Sequence, residues 1–251
     1  MPQPALLKNK ARYLLDNFPA SGLVYAFSRR HMGNMSLNYG NTRGSLKNRQ
    51  GFLMDLGIDH QKLVCAQQVH GSRIRYAKEE DKGKGALSFD TALPDTDALV
   101  TDKRKLPLAI FTADCLCVYL YDPVTPAIGL VHAGWRGTKE NILIKTVRYM
   151  RELFKTDPSN LYVGFGPAIR GCCYEVSGDF AGSFPGELDR RDERHYLDLA
   201  RCNKKQVLGL GVREDNIFDP HICTSCCNGE FFSYRKEDKS CGRTMSVIML
   251  T

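Results

Sequence analysis

Three residues in this chain can bind a soft or borderline metal ion or act as nucleophiles, and each lies at or just past the end of an apolar run. His70 sits in Gln68-Val69-His70-Gly71, after Lys62-Leu63-Val64-Cys65-Ala66. Cys115 closes Thr112-Ala113-Asp114-Cys115, after Leu108-Ala109-Ile110-Phe111. His132 follows Ala127-Ile128-Gly129-Leu130-Val131 and opens His132-Ala133-Gly134-Trp135-Arg136-Gly137. Two imidazoles and a thiolate form a three-ligand set that suits zinc and leaves a fourth position open, as catalytic sites do. The three lie too far apart in the chain for a local finger, so they must converge through tertiary structure. Copper(II) fits the same donors. A coupled copper cluster does not, because the chain has six histidines and no His-x-His pair.

Around these residues stand groups that could serve them. Asp97 and Asp114 are candidates to accept a ring N–H from a ligand histidine, which fixes its tautomer and raises its basicity; either could instead cap a turn. Asp114 is also a candidate proton donor. The glycines beside Trp135 permit close backbone approach to a ligand, and Arg136 offers a planar fork for phosphate or carboxylate. Cys223-Thr224-Ser225-Cys226-Cys227, preceded by His221, has zinc-ligand spacing. A structural zinc there needs four ligands, and no second Cys-x-x-Cys completes it, although Cys172, Cys173 and Cys241 are available. An incidental cluster is the expectation.

The elements that must position these residues follow from periodicity and breakers. A helix is expected up to Phe18, ended by Pro19, then a strand over 22–28 and a polar loop over 29–44. A helix over 46–56 follows, with Gly57 as C-cap. Strands are expected at 63–69, 73–77, 98–101, 107–112, 117–121, 127–132, 161–166, 217–218, 231–234 and 245–250. Helices are expected at 138–154 and 198–210. Segments 78–94 and 187–195 read as charged surface excursions. Many strands with a few covering helices argue for a mixed α+β sandwich.

At 251 residues, 43% hydrophobic and 25% charged, the chain is long enough for a substantial core and ordinary for a globular protein. The net charge of +7 favours anionic ligands such as phosphate without implying nucleic-acid binding. No apolar run approaches a membrane span, and the first residues carry no apolar signal segment. The ten cysteines include the adjacent pairs Cys172-Cys173 and Cys226-Cys227. Adjacent cysteines rarely bridge each other, so a reduced, cytoplasmic protein with free thiols is expected.

From about Ser28 to the C-terminus the motifs resemble those of the YfiH-like laccase-domain family, whose members are also described as polyphenol oxidases or purine nucleoside phosphorylases. The resemblance is carried by the three motifs above and by Ser36-Leu37-Asn38, Gly166-Pro167-Ala168-Ile169, Cys223-Thr224, Phe232-Ser233-Tyr234-Arg235 and Gly242-Arg243. It implies one domain over 1–251, a four-layer α/β/β/α sandwich with mixed sheets. It implies zinc held by His70, Cys115 and His132, with Arg29 on phosphate and Asn38 lining the same pocket. The implied reactions are phosphorolysis of adenosine, inosine, guanosine and methylthioadenosine, and deamination of adenosine. Copper-dependent phenol oxidation and peptidoglycan editing have also been ascribed to members. A rival chemistry uses the same residues without metal, in a hydrolase with Cys115 as nucleophile and His70 or His132 as base. A binding protein that senses a nucleoside or cell-wall fragment is the non-enzymatic alternative.

Overall fold

The strands of the two main sheets are apolar along most of their length, and both faces of these sheets find a core. The computed structural model describes residue 15, residues 18–19 and residues 21–251. Its strands are β1 (Leu23–Phe27), β2 (Val64–Cys65), β3 (Ile74–Tyr76), β4 (Ala98–Thr101), β5 (Leu108–Thr112), β6 (Leu116–Asp122), β7 (Ala127–Ala133), β8 (Tyr162–Phe165), β9 (Glu175–Val176), β10 (Leu188–Arg191), β11 (Arg194–Leu197), β12 (Ile217–Phe218) and β13 (Thr244–Leu250). The helices are α1 (Thr42–Met54), α2 (Trp135–Lys139), α3 (Ile142–Phe154), α4 (Leu199–Leu208) and α5 (Tyr234–Glu237). One mixed sheet has the order β12-β8-β6-β7-β4-β3 and a second the order β1-β13-β5-β2; β10-β11-β9 form a small third sheet.

Strand parity sorts side chains into three cores. Tyr25 and Phe27 of β1, Leu108 and Ile110 of β5, Tyr119 of β6 and Leu130 of β7 meet between the two large sheets. The alternate residues Val118, Leu120 and Val131 face outward to Ile142, Val147 and Met150 of α3 and to Ala200 and Val207 of α4. On the far side, Ala26, Ala109 and Val247 meet Phe52 and Leu53 of α1. The layers therefore run α1, four-stranded sheet, six-stranded sheet, α3 with α4: the four-layer sandwich.

Four connections cross between the large sheets, and two of them carry His70 and Cys115. Residues 66–73 lead from β2 in one sheet to β3 in the other, and residues 113–115 lead from β5 to β6. β2 and β5 are parallel, β7 runs antiparallel to β6 with Ala133 opposite Leu116, and β4 starts beside the end of β7 with Ala98 opposite Val131. Both of these crossings, the end of β7 and the start of β4 thus lie at one end of the sandwich.

The structure departs from the expected elements in four places, each for a physical reason. The expected helix over 138–154 is two helices, α2 starting earlier and α3 restarting after Asn141, whose φ of 60° is left-handed; Asn tolerates that region better than most residues. Residues 187–195 do not form an irregular excursion. Most of them build the β10–β11 hairpin, which buries Leu197 and partly buries Leu188 against Phe184 and Trp135, a face too narrow to give an alternating apolar pattern. Phe231 and Phe232 are both buried, which a one-faced strand does not allow, and Glu237 Oε1 accepts from the Ser233 amide to start α5 in place of the expected strand over 231–234. In the expected strand 63–69 only β2 pairs with β5 by its backbone, and the chain from Cys65 to Gln67 pairs with Leu93 instead. The Gln68 side chain takes over beyond it, accepting from the Phe111 amide and donating to the Phe111 carbonyl, both at 2.8 Å. The helix expected before Pro19 lies largely outside the described residues, though Leu15 and Phe18 pack into the core between the sheets.

Candidate active site

The converging end of the sandwich carries all three chemistry-bearing residues. His70 lies on the first crossing, Cys115 ends the second, and His132 sits near the end of β7, opposite Cys117 of β6. One donor atom from each lies within 4.8 Å of the others. The two imidazole rings meet edge to face with centroids 4.8 Å apart.

Asp97, just before β4, organises both histidines. Its carboxylate is fully buried, and Oδ1 lies 2.7 Å from His132 Nδ1. That contact fixes the ring with Nδ1–H toward the carboxylate and leaves the Nε2 lone pair free to bind a metal ion. Asp97 also accepts amide bonds from Val69 at 3.3 Å, His70 at 3.0 Å and Gly71 at 2.8 Å. These bonds hold His70 at φ 61°, a left-handed conformation that an unsupported His would rarely adopt. The His132 amide in turn donates to the Asp97 carbonyl at 2.7 Å. Burial would raise the Asp97 pKa, but His132 and the amides win and hold it below the usual carboxylate range.

Asp114 has a different task. It bends the second crossing at φ 81°. Its Oδ1 accepts from Thr224 Oγ1 at 2.6 Å and its Oδ2 from the Arg235 amide at 2.6 Å. Its carbonyl accepts from the Ile169 amide at 2.9 Å. Of the two aspartates, Asp97 holds a histidine, and Asp114 ties the Cys115 turn to the loops after β8 and β12.

Cys115 and His132 polarise each other. Burial opposes charge on both groups. Against that, the two imidazoles bring the Cys115 thiol down to about 6, and the thiolate with Asp97 lifts His132 to about 9. Two glycines of the His132 motif make room for this cluster. A Cβ on Gly134 would stand 3.2 Å from Cys115 Sγ and 3.3 Å from His70 Cδ2, while a Cβ on Gly137 would stand 2.8 Å from the Gly71 carbonyl oxygen. Two imidazoles and a thiol already drawn toward its anion, one ring pre-set by a carboxylate, fit a divalent metal ion of borderline softness.

The cluster faces a cavity of about 530 Å³. Asn38 and Asp114 lie on its wall, as do Trp135, Tyr174, Arg235 and Arg243. Arg235 donates to the Cys173 and Glu175 carbonyls, and Arg243 to the Cys241 and Gly242 carbonyls. Among the described residues neither forms an ion pair with a carboxylate. Arg29 and Arg136 are not on this wall: Arg29 donates to Glu230 Oε2 at 2.6 Å, and Arg136 is exposed, over the Trp135 ring. Sequence reasoning gave Arg235, Arg243, Tyr174 and Gln68 no individual role. The motifs of all but Tyr174 were visible, but loop residues without periodicity do not announce which cavity they face.

Residues 26–251 match the model of the multi-copper polyphenol oxidoreductase laccase family. The chain is 34% identical over 249 residues to the purine nucleoside phosphorylase YlmD of Geobacillus stearothermophilus, covering 92% of this chain and 91% of that one. It is 29% identical over 204 residues to adenosine deaminase RL5 from an unknown prokaryotic organism, covering 78% of each. The crystal structure of the Geobacillus YlmD superposes with a TM-score of 0.94 at 31% identity, over 99% of both chains. By a family match that runs nearly end to end and by its fold, this chain belongs to the multi-copper polyphenol oxidoreductase laccase family.

Proposed function

We propose that the chain is a zinc-dependent purine nucleoside phosphorylase that also deaminates adenosine. The observation that carries this reading is the pairing, in one cavity, of the His70–Cys115–His132 donor set with two guanidinium groups that have no carboxylate partner among the described residues. The names of the relatives, one a phosphorylase and one a deaminase, point the same way. The cavity volume of about 530 Å³ suits a nucleoside beside a phosphate. Adenosine, inosine, guanosine and methylthioadenosine are the proposed substrates.

In this reading His70, Cys115 and His132 hold the zinc ion, which supplies Lewis acidity to a substrate atom when bound. Arg235 and Arg243 orient phosphate through charge-assisted bonds; Arg29 and Arg136, which do not line the cavity, are not needed for this. Trp135 and Tyr174 offer aromatic faces for the purine, and Asn38 offers an amide to a polar edge of the substrate. Gly134 keeps the space in front of the donors clear of side chain. Asp114, with both carboxylate oxygens already accepting, acts by holding the Cys115 turn.

The test is product analysis by chromatography after incubation with adenosine, with and without phosphate. The expected products are adenine and ribose 1-phosphate only when phosphate is present, inosine in its absence, and neither with Cys115→Ala or His132→Ala. Full turnover by either variant without metal would refute the shared site. A second reading is favoured by the mutual polarisation of Cys115 and His132: a metal-free thiol hydrolase. It requires an active protein with no metal that loses activity on alkylation of Cys115.

A further inference from the structure

We propose that Cys172, Cys173, Cys223 and Cys226 form a second metal site, a closed four-thiolate zinc centre that shares no ligand with the His70–Cys115–His132 set. The four sulfurs lie within 4.8 Å of one another. Cys226 Sγ stands 3.6 Å from Cys172 Sγ and 3.4 Å from Cys173 Sγ. Sulfurs held at about 2.3 Å around a tetrahedral zinc are about 3.8 Å apart. A disulfide needs about 2.05 Å. The spacing is that of thiolates around a common ion.

Burial supports the assignment. Free cysteines that only pack are among the most buried residues. Here Cys172 and Cys226 are exposed, Cys173 is half-buried and only Cys223 is buried. A thiol cluster with only one of its four members buried fills no core. Cys223 and Cys226 are presented by a tight turn closed by the Cys227 amide donating to the Cys223 carbonyl at 2.9 Å. The other candidate donors are engaged elsewhere: Cys227 packs against the core between the sheets, Cys241 Sγ accepts from Arg243 at 3.0 Å, and His221 Nδ1 lies 3.4 Å from Asp219. The ligand set is therefore all sulfur and full, as in structural zinc sites. On binding, each thiol releases its proton to solvent, no electron is transferred, and the centre carries two negative charges. Arg191 and Arg235, which donate to the Gly171 and Cys173 carbonyls of the same loop, stand ready to offset them.

The position gives the centre a purpose. The loop after β8 bridges the loop after β12 at Ala168 and Cys223. Between them these loops supply the Ile169 amide and the Thr224 hydroxyl that clamp Asp114, and Tyr174 on the cavity wall. A zinc clip at 172–173 and 223–226 fastens the two loops that brace the Cys115 turn.

The deciding experiment is metal analysis of the full chain purified under reducing conditions, for wild type, Cys115→Ser, Cys226→Ser and Cys172→Ser. Two zinc ions per wild-type chain and one in each variant are expected, with Cys226→Ser melting about 5 °C or more below wild type. Cobalt(II) loaded into Cys115→Ser should give the intense visible spectrum of a tetrahedral four-thiolate centre. This readout stands even if the cluster variants fail to fold. A wild-type chain with a single zinc that Cys115→Ser removes would overturn the proposal. So would iron in place of zinc at the cluster, or a mass showing a disulfide among these cysteines in protein kept reduced.

Discussion

Asp97 is one carboxylate serving both histidines of the proposed metal site: it sets the tautomer of His132 and holds the backbone of His70 in a strained turn. Asp97→Asn keeps the shape but puts an amide NH2 where one oxygen accepted. Metal affinity should fall about 10- to 100-fold, measured by competition with a chromophoric chelator. Unchanged affinity would show that the ring needs no anchor. The Cys115–His132 pair makes a pH prediction for metal-free protein. Cys115 is depressed to about 6, so its contribution to stability is present above the ordinary thiol pKa of 9.0 and is lost as pH falls through about 6. His132 is raised to about 9, so its contribution is present below the ordinary value of 6.5 and is lost as pH rises through about 9. The pair therefore stabilises the apoprotein most between those limits. Thiolate absorbance, taken as wild type minus Cys115→Ser, should appear with a midpoint near pH 6; a midpoint near 9 would mean that the two groups do not polarise each other.

At the scale of elements, the strands around the site were legible because both faces of β5, β6 and β7 are buried, which leaves continuous apolar runs ending at Thr112, Asp122 and Ala133. The convergence of His70, Cys115 and His132 was legible for the same reason, since each donor interrupts or follows such a run. What stayed hidden depends on partners distant in sequence. Asp97 and Asp114 look alike until β4 is laid beside β7 and Thr224 is brought to the Cys115 turn. The thiol cluster pairs two segments that carry only half a ligand set each. Helix α1 hides a further device: Arg49, 2% exposed, donates to the carbonyls of Met35, Gly85 and Ala86 at 2.7, 2.9 and 2.9 Å. In a helix over 46–56 read by periodicity it is simply polar. Arg49→Met would bury those carbonyls without donors and should cost about 3 kcal/mol by urea denaturation. A loss below about 0.5 kcal/mol would mean that water replaces the guanidinium. Gly137→Ala, whose Cβ would meet the Gly71 carbonyl at 2.8 Å, should displace the His70 crossing and raise the metal dissociation rate while leaving helix content intact.

On the scale of the whole molecule, the site belongs to neither large sheet. His70 and Cys115 lie on two of the crossings from one to the other, and His132 comes from the six-stranded sheet. An ion held by all three therefore ties the two leaves of the sandwich at one end, as a clasp ties the covers of a book. The opposite end, where Leu23 pairs with Leu250, is joined by the β4–β5 connection and carries no such donor set among the described residues. Removing the metal should consequently loosen the molecule unevenly. Hydrogen exchange ought to accelerate at Val69, His70 and Gly71 while the β1–β13 amides keep their protection; equal acceleration at both ends would show that the leaves are bound by the shared apolar core alone. In service, such a protein would wear from its working end. Metal loss would silence it well before the rest of the sandwich opened, and restoring the ion would bring it back without refolding.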